Sequence, residues 1–165
     1  MMLIDANIAL YGFMGSGKTT VGRLLAQVLS RPFIDLDQYI ESHNGVRIVD
    51  IFESEGEESF RIKEEETVLS MPIHSPHVLA LGGGSLLRKK SNDHICEQYR
   101  VYTLIVPFSI LKERLVGDER PLAPYAESLY NSRLKHYQSI GTLIPISTES
   151  PKACMEIILE DLHAA

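Results

Sequence analysis

Short apolar runs alternate along the chain with longer stretches in which apolar side chains recur every three or four residues. The runs read as buried strands, and the recurrence reads as helices with one buried stripe. Asn7 to Tyr11 predicts a first strand that ends at Gly12. Lys18 to Leu29 predicts a helix with Val21, Leu24, Leu25, Val28 and Leu29 as its stripe. Pro32 to Asp35 is the second strand candidate, followed by a helix from about Asp37 to Asn44 that Gly45 closes. Val46 to Glu55 and Glu57 to Ser70 predict two helices split at Gly56, both with an acidic exposed face. His77 to Leu81 predicts a strand running into Gly82-Gly83-Gly84, and Tyr99 to Val106 a fourth strand, after which Pro107 opens a helix to about Leu115. Between Val116 and Ala126 the periodicity is lost and Gly117, Pro121 and Pro124 crowd together, which predicts a mobile loop. Ser128 to Ser139 reads as a helix, Leu143 to Ser147 as a fifth strand and Pro151 to Leu162 as the last helix. The sum is an α/β fold, a doubly wound five-stranded parallel sheet that binds ligands at the carboxyl ends of its strands.

Composition narrows this further. With 165 residues, 44% of them apolar, the chain suits one domain spanning 1–165. A net charge of −6 argues against a nucleic-acid binder. The basic cluster Arg88-Lys89-Lys90 reads as a solvated helix start. The first residues lack a basic n-region and are interrupted by Asp5 and Asn7, so no targeting segment is expected. The longest apolar stretch, Val101 to Phe108, is too short to span a bilayer. Cys96 and Cys154 lie too far apart for a metal knuckle and read as buried or half-buried thiols of a reducing, cytoplasmic compartment. His74 and His77 flank Pro76 and show no metal-ligand spacing.

The chemistry begins at Gly12-Phe13-Met14-Gly15-Ser16-Gly17-Lys18-Thr19, a full match to the phosphate-loop pattern between a predicted strand and a predicted helix. Its glycines let backbone N–H groups turn inward around phosphates, and the helix that follows points its positive end at them. Lys18 is placed to reach the outer phosphates, and Thr19 to bind Mg²⁺ through its hydroxyl. No N-K-x-D base-reading motif is present, as a GTPase would carry, and no long apolar strand ends in a metal-binding aspartate. A small-molecule kinase remains. Asp35 and Asp37 sit at i, i+2 beyond the second strand and face one pocket if strand geometry persists. Equally, Asp35 with Gln38 forms a capping box for the next helix.

Read as G-F-M-G-S-G-K-T-T-V-G-R-L-L, Gly12 to Leu25 resembles the opening of the shikimate kinase family. The resemblance continues through Phe33 to Asp37, Asp50-Ile51-Phe52, Gly56 to Arg61, Glu64, Gly82-Gly83-Gly84, Arg120-Pro121-Leu122 and Arg133, in order over most of the chain. It implies a phosphate-loop NTPase fold of the nucleoside-monophosphate-kinase type. In such a fold, substrate-binding helices occupy about 37–70 and a lid about 116–126. It implies ATP and shikimate as partners, Mg²⁺ as cofactor, a monomer, and phosphorylation of the shikimate 3-hydroxyl on the way to chorismate and the aromatic amino acids.

The same resemblance assigns the site. Gly15, Ser16, Gly17, Lys18, Thr19 and Thr20 bind ATP, Arg114 stacks on adenine, and Arg120 closes over the phosphates as a lid arginine. Thr19 and Asp35 serve the metal, and Asp37 holds ring hydroxyls and acts as base. Arg61 and Arg133 clamp the acceptor carboxylate, because arginine offers two parallel N–H donors. Gly82 and Gly83 add backbone contacts, and Phe52 with Phe60 form an apolar wall. From the residues alone, Arg61 pairing with Glu57 or Glu65, a surface Arg133, and plain core roles for both phenylalanines stay open. The chain departs from the pattern between Arg120 and Arg133, which is short, at Ala123, where a larger apolar residue is usual, and at Ile146-Ser147-Thr148, which lacks an aspartate. The alternatives are gluconate kinase or another small-molecule phosphate-loop kinase, and a non-catalytic nucleotide-binding relative. The retained Lys18, Thr19, Asp35 and Asp37 weigh against the last.

Overall fold

A computed structural model describes residues 6–164, so the reading of the first residues lies partly outside the described ones. Five strands form one sheet: β1 (Asn7–Gly12), β2 (Phe33–Asp35), β3 (Val78–Ala80), β4 (Tyr99–Ile105) and β5 (Thr142–Pro145). Their order is β2-β3-β1-β4-β5, and every pairing is parallel. Parallel neighbours need crossovers, which the helices supply. These are α1 (Lys18–Val28), α2 (Leu36–Asn44), α3 (Ile48–Leu69), α4 (Lys89–Gln98), α5 (Phe108–Arg114), α6 (Ala126–Tyr137) and α7 (Pro151–Ala164). β1 lies central and buried along its whole length, as a parallel strand covered on both faces must be. Both the phosphate loop and the glycine turn after β3 therefore leave the same edge of the sheet, side by side.

Several boundaries differ from the periodic reading, each for a physical reason. Val28 is 55% exposed, whereas Val21, Gly22, Leu25 and Ala26 form the buried face of α1. The helix meets the sheet through its small residues: a Cβ on Gly22 would lie 2.6 Å from the Phe33 ring. That close approach turns Val28 away. Strand geometry stops at Asp35, whose side chain accepts from the Gln38 N–H at 3.3 Å and caps α2, so Asp37 stands in the first turn of a helix. The two helices expected on either side of Gly56 form one element with a kink, Gly56 having φ 85 and ψ 172. A left-handed φ suits glycine and breaks the helical path without ending it. The 116–126 segment is not irregular throughout, for Ala123–Tyr125 makes a 3₁₀ turn and α6 starts at Ala126. Cys96 is exposed, contrary to expectation, and Cys154 is buried. No helix among the described residues is long and apolar enough to cross a membrane.

Gly12 closes β1 with φ 140, and a Cβ there would lie 2.6 Å from the Leu104 carbonyl oxygen of β4. Backbone cannot step aside as a side chain can. Gly12→Ala is therefore expected to destabilise the fold by roughly 2–3 kcal/mol in urea unfolding, from strain and overpacking together. A change below about 0.5 kcal/mol would show that the loop entrance is looser than this geometry requires.

Candidate active site

The phosphate loop leads from β1 into α1, with Gly17 at the helix N-cap in a left-handed conformation. Lys18 Nζ donates to the carbonyl oxygens of Gly12 at 2.7 Å and Phe13 at 2.8 Å, across the mouth of its own loop. The Thr19 hydroxyl donates to Asp35 Oδ2 at 2.8 Å, so Asp35 serves both the loop threonine and its own helix. Both open readings of Asp35 are thus present at once. A hydroxyl and a carboxylate in contact are hard oxygen donors that fit Mg²⁺, which keeps several waters and phosphate oxygens beside one or two protein ligands. Among the described residues no group of three His, Cys, Asp or Glu side chains forms a metal cage.

A cavity of about 510 Å³ opens over this loop. Its lining brings together Gly15, Ser16, Gly17, Lys18, Thr19, Thr20, Asp35, Asp37, Gly82, Gly83, Arg114 and Arg120. It continues over Ile146, Glu149, Pro151 and Cys154. Arg114 is exposed and its guanidinium donates to Gly15 O at 3.0 Å, tying the end of α5 to the phosphate loop. A second, smaller cavity of about 70 Å³ is lined by Phe52, Phe60, Arg61, Glu64, Arg133 and the Gly82–Gly84 turn, with Met14, Ile48, Pro121 and Leu122. Asp37, Gly82, Gly83 and Arg120 line both cavities. Every residue expected at the site falls on one cavity or the other. The Phe52 and Phe60 rings lie 5.0 Å apart, so they are at once cavity wall and core edge.

Charge decides how these groups behave. Arg61 pairs with Glu64 at 2.6 Å and more loosely with Glu57 at 3.5 Å, while Glu65 turns to Arg88. Burial works against the Arg61 charge, but the two glutamates outweigh it and its pKa is raised. Arg133 is only 6% exposed, which excludes a surface role. Arg120 is half-exposed and held by Asp118, with Nη2 2.6 Å from Oδ2. Burial, reinforced by Glu64 and Asp35, pushes the Asp37 carboxyl up to about 6, with Lys18 and Arg120 opposing. Burial, with Arg120 beside it, brings the Lys18 ammonium down to about 8. Displaced proton affinities of this kind, in a cleft, mark groups poised for chemistry.

Glu64 was not among the expected site residues, because α3 reads as acidic on its exposed face. It is 2% exposed, and its carboxylate also accepts from the Ser85 hydroxyl at 2.7 Å. The signal was present: Phe60, Glu64 and Val68 recur at i, i+4, i+8 and share the buried stripe. Asp118, Ser85, Tyr11 and Tyr137 carried no motif and appear only once the chain is folded.

A phosphate loop with a half-buried lysine, two carboxylates near it, and an adjoining cavity to which Arg61 and Arg133 add their charges is the arrangement of a phosphate-loop kinase for a small anionic acceptor. A family profile described as shikimate kinase matches residues 14–163. The chain is similar to the shikimate kinase of Thermobifida fusca, 39% identical over 94% of each chain. It is 35% identical to that of Bacillus subtilis over 96% of this chain and 89% of the other. Its fold superposes on the shikimate kinase of Acinetobacter baumannii in complex with shikimate with a TM-score of 0.89, at 32% identity over 96% and 93% of the two chains. The chain belongs to the shikimate kinase family.

A carboxyl raised from 3.8 to about 6 binds its proton more tightly in the folded chain than in the unfolded one. Its contribution to stability is present below the unfolded pKa and is lost as pH rises through 6. At neutral pH the Asp37 charge is therefore a destabilising element of roughly 2–3 kcal/mol. Asp37→Asn is expected to raise the melting temperature while lowering turnover by roughly two or more orders of magnitude. The acid limb of the acceptor kcat/KM, expected near pH 6, should vanish in that variant. A variant that melts lower and keeps the limb would return Asp37 to a structural role.

Proposed function

We propose that this protein transfers the γ-phosphoryl group of ATP to the 3-hydroxyl of shikimate, giving shikimate 3-phosphate and ADP. The observation that carries the reading is the wall shared by the two cavities. Asp37, Gly82, Gly83 and Arg120 face the phosphate-loop cavity and the arginine-lined cavity together, so a donor phosphate and an acceptor hydroxyl can meet there. Gly15 to Thr20 take the ATP phosphates on loop amides and on the Lys18 ammonium, whose present carbonyl acceptors phosphate oxygens would replace. The Arg114 guanidinium and Pro151 are the flat surfaces available to adenine. Mg²⁺ on the Thr19 hydroxyl and, directly or through water, the Asp35 carboxylate would supply charge neutralisation for the phosphates.

Arg61 and Arg133 clamp the acceptor carboxylate, with Phe52 and Phe60 against its ring. Asp37 then orients the 3-hydroxyl and accepts its proton as the O–P bond forms. Phosphoryl transfer has a loose transition state, so alignment counts for more than basicity. Arg120, released from Asp118, adds positive charge beside the transferring group and keeps water out. Gluconate, also a hydroxylated carboxylic acid, is the competing acceptor.

Release of ADP from MgATP, measured with shikimate, gluconate or AMP as acceptor, is expected to respond to shikimate alone. Response to another acceptor would keep the kinase and discard the substrate. Arg61→Ala should raise the shikimate KM by roughly 10–100-fold, the range for a lost charge-assisted hydrogen bond, and move the ATP KM less than about threefold. Equal losses for both substrates would contradict a carboxylate clamp.

A further inference from the structure

The two largest aromatic side chains behind the acceptor cavity have no part in the mechanism above. Tyr11, at the end of β1, is 0% exposed, and Tyr137, at the end of α6, is 1% exposed. Their rings meet edge-on with centroids 5.0 Å apart. Both hydroxyls donate to one atom, the carbonyl oxygen of Gly83, from Tyr137 at 2.6 Å and from Tyr11 at 3.3 Å. A carbonyl has two lone pairs, and here both are taken by phenols. If these residues only filled space, phenylalanine would serve, since a buried hydroxyl costs stability unless it is bonded.

The pinned atom belongs to the Gly83–Gly84 peptide, which is planar and trans. Across such a peptide the N–H of the second residue points opposite to the carbonyl of the first. Gly83 O faces the tyrosines, so the Gly84 N–H faces away from them. Neither tyrosine lines the acceptor cavity, whereas Gly82, Gly83 and Gly84 do. The preceding peptide is fixed in the same manner, with Gly82 O accepting from the Ser85 N–H at 3.2 Å. Neither the Gly83 nor the Gly84 amide donates to a protein group among the described residues. Three successive glycines have no side chains to hold their peptide planes, so the orientation must be imposed from outside.

Charge surrounds this turn on the cavity side. A Cβ on Gly84 would lie 2.7 Å from the Arg61 guanidinium, so that cation packs directly against the turn. Arg133 stands four residues before Tyr137 on α6, on the same face of the helix, and lines the cavity. One helix thus supplies a cation for the acceptor and the pin for the turn opposite.

We propose that Tyr137, assisted by Tyr11, is a positioning residue for the acceptor: by holding the Gly83 carbonyl it aims the Gly84 amide, alongside that of Gly83, at the acceptor carboxylate between Arg61 and Arg133. The inference rests on the acceptor assignment made above. It gives the backbone contacts of the glycine turn a physical cause, an anion-binding nest whose geometry is set by buried phenols.

The test is steady-state kinetics on the full chain with shikimate and ATP each varied, for wild type, Tyr137→Phe, Tyr11→Phe and the double variant. Tyr137→Phe is expected to raise the shikimate KM roughly five- to thirtyfold, to move the ATP KM less than twofold, and to leave kcat within about threefold. Tyr11→Phe, losing the longer bond, should raise it only about two- to fivefold, and the double variant should exceed either. In ¹⁵N-labelled wild type the Gly84 amide proton should shift downfield on adding shikimate, and this shift should shrink in Tyr137→Phe. Loss of packing alone would lower the melting temperature and affect both substrates alike, without selective change at Gly84. An unchanged shikimate KM, or parallel rises for shikimate and ATP, would overturn the positioning role while leaving the substrate assignment intact. A wild-type chain indifferent to shikimate would overturn the substrate assignment first and this inference with it. If Tyr137→Phe does not fold, Tyr11→Phe decides by the same split between the two KM values.

Discussion

The acceptor side of this protein is organised around one buried carboxylate. Glu64 lies inside the stripe of α3 at 2% exposure, where an ionised side chain is tolerated only with full compensation. It finds that in Arg61 at 2.6 Å and the Ser85 hydroxyl at 2.7 Å. A Cβ on Gly82 would stand 2.9 Å from its oxygen, so the glycine turn passes directly over it. The kinked helix, the Arg61 guanidinium and the turn after β3 are thereby joined through a single group. Removing one partner from such a pair leaves an uncompensated charge, which is far worse than removing both. The placement of Arg61 is therefore a property of the fold and not of a flexible side chain.

The same carboxylate reaches into the chemistry. After burial itself, the charge of Glu64 does most to hold a proton on Asp37 and so to push that carboxyl up to about 6. Lys18 approaches from above, brought down by burial and by Arg120. A carboxyl and an ammonium with displaced proton affinities, one on either side of neutral pH, both face the phosphate-loop cavity, and the carboxyl lines the second cavity as well. Stability is given up for this arrangement, as is usual where a polar site is held ready in a dry cleft.

Much of this was legible in the sequence. The phosphate loop follows from its motif and the two carboxylates from their spacing after a strand, because each is a local pattern; Arg61 and Arg133 were singled out only by the family resemblance. Strand and helix order followed from periodicity. What escaped were features decided by tertiary contact. Val28 left the buried stripe because Gly22 lets α1 approach Phe33 closely. Asp37 reached the cavity from a helix and not from a strand, since Asp35 caps α2 where strand geometry was expected to persist. Glu64 was hidden among six other glutamates of the same helix, its burial visible only through its phase with Phe60 and Val68. Tyr11 and Tyr137 are 126 positions apart in the chain, and nothing local links them to Gly83.

Calorimetric titration of shikimate and of its neutral methyl ester into the same protein tests the central claim, that the cavity arginines Arg61 and Arg133 and a fixed glycine turn read a carboxylate. Shikimate is expected to bind, and the ester to bind weaker by roughly 100-fold or more, as befits the loss of charge-assisted bonds to desolvated partners. Equal affinity for acid and ester would contradict the account, because the cavity would then be recognising the ring alone.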